Sequence, residues 1–293
     1  MAQQKIQLRK IRDFGENFSD TFQFLKQELK PLMIAFTMIG VVFAILISLL
    51  TILYRNQLAP LQGNINIDGN ISYSDVLSVY NGTFFLLMGL AVVAFAAMVT
   101  CIAVYMKYYD EHETSPTVND LWRSFLKYLF RNAVLAIIHM VLFFIGFIFC
   151  LAPGFYFLFV LMPFAFIVVN EDLSIGQAFT RCFELIKENF WASTALYIVL
   201  GVMVLVISML VLVVSELVSG AGSLFSLENI QNRNPVVDII QNVLQYYFYI
   251  IIYVSVGLNY YNLVEKRDGA GLARRLDGLG GAFNPNENIE EQY

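Results

Sequence analysis

The residues whose chemistry stands out most lie near the end of the chain, in a run that is otherwise apolar. Asp238, Asn242, Gln245, Tyr249, Tyr253 and Tyr260 fall within about 80° of arc on a helix advancing ~100° per residue, so they form one polar and aromatic seam. In hydrocarbon such a seam has two uses. It can line a groove that admits a lipid headgroup or a small amphiphile, or it can face other helices and hydrogen-bond to them. His139 is the second candidate, about two turns inside another apolar run. An intramembrane imidazole can relay a proton, but no charged residue sits deep in these runs to pass it onward. The alternative is a neutral ring bonded to a neighbouring helix.

Other chemistries lack their parts. His112 is the only other histidine, and two distant histidines cannot build a multi-histidine zinc or iron site. Cys101, Cys150 and Cys182 form no CxxC pair and read as small apolar side chains. No GxSxG turn, HExxH motif or P-loop occurs. Glu111, Glu113, Glu171, Asp172, Glu184 and Glu188 flank the apolar runs, where carboxylates are ordinarily just solvated. The residues therefore predict no enzyme, no cofactor and no metal. A net charge of -5 with a pI near 5.1 argues against nucleic acid, whose binders concentrate Lys and Arg on one face.

What must position the seam is a membrane bundle. Of 293 residues, 58% are hydrophobic and only 14% charged, against roughly one quarter charged in a soluble domain. About 20 apolar residues cross a ~30 Å hydrocarbon core. Five stretches meet that length: Pro31 to Tyr54, Val76 to Met106, Asn132 to Leu151, Trp191 to Val218 and Val236 to Val264. A sixth, Gly154 to Val169, follows the turn Leu151-Ala152-Pro153-Gly154, which divides a run too long for one crossing into a tight hairpin. The chain reads as one membrane domain: an arm over 1–30, a six-span bundle over 31–264 and a tail over 265–293.

Basic residues set the orientation. Lys5, Arg9, Lys10, Arg12, Lys26 and Lys30 precede the first span; Lys107, Arg123, Lys127 and Arg131 fill the second connection; Arg181 and Lys187 lie in the fourth; Lys266, Arg267, Arg274 and Arg275 lie in the tail. Arg55 and Arg233 stand alone in the first and fifth connections. Six spans place every rich segment on one side, which the positive-inside rule makes cytoplasmic, with both termini inside. The chain is thus expected to be a multi-pass protein of a bacterial cytoplasmic (inner) membrane.

Each pair of spans is preceded by a helix-start signal. Asn17 with Asp20, Thr117 with Asp120, and Ser174 with Gln177 have the form of a cap and its reciprocal partner three residues on. Each opens about four amphipathic turns, which predicts three cytoplasmic interfacial helices lying in the headgroup plane. The fold class is all-α: six transmembrane helices in three hairpins, each hairpin preceded by such a helix.

Pro153-Gly154-Phe155-Tyr156, with Pro163, Glu171-Asp172, Ala178-Phe179, Arg181, Leu185 and Phe190-Trp191, resembles the central signature of a bacterial six-span family. That family includes the membrane domain of some glycerophosphoryl diester phosphodiesterases and many stand-alone uncharacterised proteins. The arm Arg12-Asp13-Phe14-Gly15-Glu16 and the tail Asn262-Leu263-Val264-Glu265-Lys266 are similar to the stand-alone branch. The resemblance implies an architecture, not an activity, since no segment has room for the phosphodiesterase barrel. Two functional readings follow. One is a non-enzymatic accessory or scaffold protein whose cytoplasmic helices meet membrane lipids and a protein partner. The other is a transporter or lipid-handling protein with the seam as its path.

Overall fold

A computed structural model describes residues 5–68, 73–112, 116–149, 151–219 and 235–269; the Asp238 side chain, Cys150, Arg233, Arg274 and Arg275 lie outside the described residues. All regular structure among the described residues is helical. In chain order the helices are α1 (Phe14–Asp68), α2 (Tyr73–Val79), α3 (Gly82–His112), α4 (Val118–Phe149), α5 (Leu151–Val160), α6 (Phe164–Glu171), α7 (Ile175–Ile186), α8 (Phe190–Ser219) and α9 (Pro235–Asp268). A 3₁₀ turn at Lys187–Asn189 joins α7 to α8. Six of the helical stretches are long and apolar enough to cross a membrane, with α5 and α6 counting as one and α7 with α8 as another. The chain is an all-α membrane protein.

The bundle is built around α3, which packs on α1, α4, α6 and α9. Ala94, Ala96, Ala97, Thr100 and Ala103 are fully buried along it. Their small side chains let neighbouring backbones approach, and close van der Waals contact is what holds helices together where lipid supplies no hydrophobic drive. α9 lies between α1 and α8. α8 is the outlier: beyond Val204 none of its described side chains is buried, and Leu205, Val206, Met209, Leu210, Val214 and Leu217 are exposed.

The structure differs from the sequence reading at several boundaries. The amphipathic turns before the first two hairpins are not separate helices, because α1 runs unbroken through Pro31 and α4 through Asn132. The reason is a buried stripe that keeps helical period across each expected break. On α1 it is Phe24, Glu28, Leu32, Ala35 and Ile39; on α4 it is Leu121, Phe125, Tyr128, Asn132, Leu135 and His139. α7 alone is set off, by the 3₁₀ turn. The second span starts at Gly82 rather than Val76, since the Asn81 carboxamide caps α3 by accepting from the Phe84 N–H at 3.0 Å. α1 also starts before its expected cap. Asp13 is the cap, with Glu16 N–H donating to its carboxylate at 2.7 Å and Glu16 reciprocating at 3.2 Å, so Asn17 and Asp20 lie inside the helix.

Candidate functional site

The seam on α9 is divided among several partners. Asn242 donates to Ser48 Oγ on α1 at 2.8 Å, and Ser48 in turn donates to the Ala44 carbonyl at 2.7 Å. Gln245 donates to Tyr249 one turn along its own helix, at 3.2 Å. The Tyr249 ring leans on Tyr253, and buried Tyr253 packs against Phe95 of α3 with ring centroids 6.0 Å apart. Tyr260, fully buried, donates to Glu171 at 3.1 Å and stacks on Phe166. Tyr253 and Tyr260 are therefore occupied by packing, and Asn242, Gln245 and Tyr249 are half-buried, Asn242 with its bond to Ser48. Asp238 adds nothing here because its side chain is outside the described residues.

His139 is a satisfied core histidine. Its Nε2 lies 3.1 Å from the Leu158 carbonyl, which can only accept, so Nε2 carries the proton. That carbonyl lacks its usual helical donor, because α5 ends in a 3₁₀-type turn in which the Met162 N–H bonds Phe159 instead, just before Pro163. Asn132 and Thr100 form a second buried pair at 2.8 Å.

The densest polar structure lies at the end of the bundle that carries the arginines. Arg9 of the arm pairs with Asp110 of α3 at 2.8 Å and covers the Tyr261 ring. Arg12 is fully buried: its guanidinium donates to Asp20 at 2.7 Å and to the carbonyls of Leu8, Lys10 and Gln7, while its N–H donates to Asn262 of α9. Asn17 donates to Asn259, which donates to Ser193 and Tyr197 of α8. Lys107 donates to the Val169 carbonyl at the end of α6. Lys127 and Arg131 of α4 clasp Asp172, at 2.9 and 2.7 Å. Arg181 of α7 bridges Glu171 at 3.0 Å and Asp268 of α9, and Arg267 donates to the Glu184 carbonyl.

Two local features build this lattice. Asp172 adopts a left-handed backbone with φ 48°, which stops α6 and swings the chain toward α7. Thr117 with Asp120 and Ser174 with Gln177 start α4 and α7 as expected; Asp120 accepts the Thr117 N–H at 3.3 Å, and Gln177 accepts the Ser174 N–H at 3.1 Å. Lys127 and Arg131 hold the Asp172 carboxyl below its ordinary range. Asn259 was not singled out from the sequence, and Arg12, Asn262 and Glu171 were named only as a basic residue, as motif positions and as a flanking carboxylate, without the bridging roles they have here. The contacts that join separate helices lie far apart along the chain, and no local pattern pairs them.

Searches against protein-family models, curated proteins and solved structures returned no match to this chain. Fold and geometry define it as a helical multi-pass membrane protein whose charged side chains are knitted together at one end.

Proposed function

We propose that the protein is a non-enzymatic accessory or scaffold protein of a bacterial cytoplasmic membrane. Both termini lie in the cytoplasm, and the arginine-bearing end forms a platform for partner proteins and anionic lipid. The observation that carries this reading is how the outward faces of that end combine side chains. Trp122 and Leu126 are half-exposed beside exposed Arg123; Leu29 is half-exposed beside exposed Lys26 and Lys30; Trp191 is 81% exposed four residues after exposed Lys187. Aromatic and basic residues together suit the headgroup layer, where rings sit among glycerol groups and cations meet phosphate. Arg9, Arg131, Arg181 and Arg267 tie helices to one another and give that surface a fixed shape.

Purification in mild detergent, followed by native mass spectrometry, tests it. Retained anionic lipid or a stoichiometric protein partner is expected, with both reduced in a Lys26→Glu, Lys30→Glu, Arg123→Glu variant. Recovery of wild-type protein always alone, with neither lipid nor partner, refutes it.

The lipid-handling reading rests on Gln245 and Tyr249, the half-buried middle of the seam. With Asn242 bonded to Ser48 and both Tyr253 and Tyr260 buried, this segment is where an amphiphile would have to contact α9.

A further inference from the structure

The hairpin of α4 and α5 ends unlike a membrane-spanning hairpin. Between His139 and Asn170 the sequence holds no charged, amide, serine or threonine side chain. Its tip is nevertheless bare: Ile148 is 80% exposed, Phe149 84% and Leu151 58%. A loop that emerges into water carries polar groups, and such large apolar side chains at a turn would face solvent at a cost of roughly 1.5–3 kcal/mol each.

Two geometric limits fix how deep this tip lies. Arg131, held to Asp172, marks the charged end of the hairpin, and Phe149 is eighteen residues further along α4. That is about 27 Å of helix before any tilt, against a hydrocarbon core of ~30 Å. The second limit is tighter. The Tyr156 ring lies 5.2 Å from Phe190 and 6.2 Å from Phe183, and Phe190 is two residues after the charged, exposed pair Lys187 and Glu188. Tyr156 therefore sits near the level of the α7–α8 junction. The tip is only six residues, about 9 Å, beyond it. By contrast α3 runs twenty-five residues from Lys107 to Gly82, about 37 Å.

The hairpin is also equipped to turn in a dry medium. A Cβ on Gly146 would stand 2.6 Å from the Gly154 nitrogen, so the two backbones touch and the return is as tight as glycine permits. The carbonyl freed at the α5 break is met by His139. Backbone groups at membrane depth need such internal partners.

We infer that the α4–α5 hairpin is re-entrant: it enters the hydrocarbon from the arginine-bearing side, ends among acyl chains, and places no aqueous loop on the far side. Its partner is the hydrocarbon of the leaflet it enters. This holds whether or not the opposite charged surface recruits proteins.

Cysteine accessibility tests it. In a chain with Cys101, Cys150 and Cys182 replaced by Ala, single Ile148→Cys, Ala152→Cys and Tyr80→Cys substitutions meet a membrane-impermeant maleimide in membranes opened to both faces. A thiol in hydrocarbon neither ionises nor meets the reagent, so Tyr80→Cys should label at least ~10-fold faster, with the tip positions reacting only after SDS. Tip labelling at the rate of Tyr80→Cys overturns the inference. Burial in a protein contact would also protect the tip, so a second measurement separates the two. Ile148→Trp, with Trp122 and Trp191 changed to Phe, is reconstituted with phosphatidylcholine brominated along its acyl chains. Strong quenching is expected, and an unquenched tryptophan overturns the inference.

Discussion

Tyr260 and Glu171 meet at 3.1 Å across the junction of α9 and α6, the phenol donating to the carboxylate. The same carboxylate takes Arg181 on its other oxygen, so one acidic side chain joins α6, α7 and α9. The Tyr260 end of the seam is thus a structural joint. It fixes α9 in rotation, and with it the direction in which Gln245 and Tyr249 face.

Removing the phenol alone should be mild. Tyr260→Phe is expected to lower unfolding stability in detergent by about 1 kcal/mol, since one hydrogen bond is lost and Glu171 keeps Arg181. Arg181→Ala should cost more, about 2–3 kcal/mol, because Glu171 and Asp268 both lose their cation in a partly shielded place. Thermal unfolding followed by intrinsic fluorescence gives the ranking. An equal or reversed order would mean that the joint does not carry this load.

The contact of α4 with α5 predicts a sharp contrast between two glycines. A Cβ at Gly146 would overlap the Gly154 backbone at 2.6 Å, whereas one at Gly89 would meet nothing within 4 Å. Gly146→Ala should destabilise by about 1–3 kcal/mol or separate the hairpin. Gly89→Ala should be neutral or raise stability by up to about 1 kcal/mol, through the better helix propensity of alanine. Midpoints of SDS-induced unfolding for the two variants would read this directly.

His139→Leu should leave the Leu158 carbonyl without a donor in a dry setting, at about 1–3 kcal/mol, whereas His139→Gln keeps a donor and should lose less. Equal losses in the two variants would point to ring packing against Phe95 and Phe164 as the dominant role.

Asp172 supplies a pH test. Lys127 and Arg131 lower its carboxyl pKa from the ordinary 3.8, so the folded state prefers the ionised form. The resulting stability is present above the ordinary value and fades as pH falls through the lowered one. Asp172→Asn, which tolerates the left-handed backbone, should therefore be less stable than wild type by a constant small amount from pH 5 to 8. The gap should close below about pH 4. Thermal midpoints measured across that range would show it, and a gap that widens in acid would contradict the assignment.

Long uncharged runs made the helical class and the number of apolar segments legible in the sequence, because hydrocarbon leaves a helical backbone few alternatives. The caps at Thr117 and Ser174 were equally plain, since capping is local. The continuity of α1 through Pro31 was not. The proline suggested a boundary, yet Glu28 and Leu32 lie on one buried stripe, and a shared packing surface overrides a local breaker. The seam showed its periodicity but not its partners, because Ser48 and Glu171 become neighbours of Asn242 and Tyr260 only after the helices associate.

Arg12 and Asn262 are 250 residues apart, and their bond closes the arm over the ends of α1 and α9. During synthesis Arg12 is made 250 residues before its acceptor. Through all of that interval Arg12 lacks the Asn262 contact, although Arg9 can meet Asp110 once α3 is made. Fastening this strap is a step that needs α9, and a ribosome that stops short of that helix leaves a nascent product whose arm stays open to chaperones and proteases.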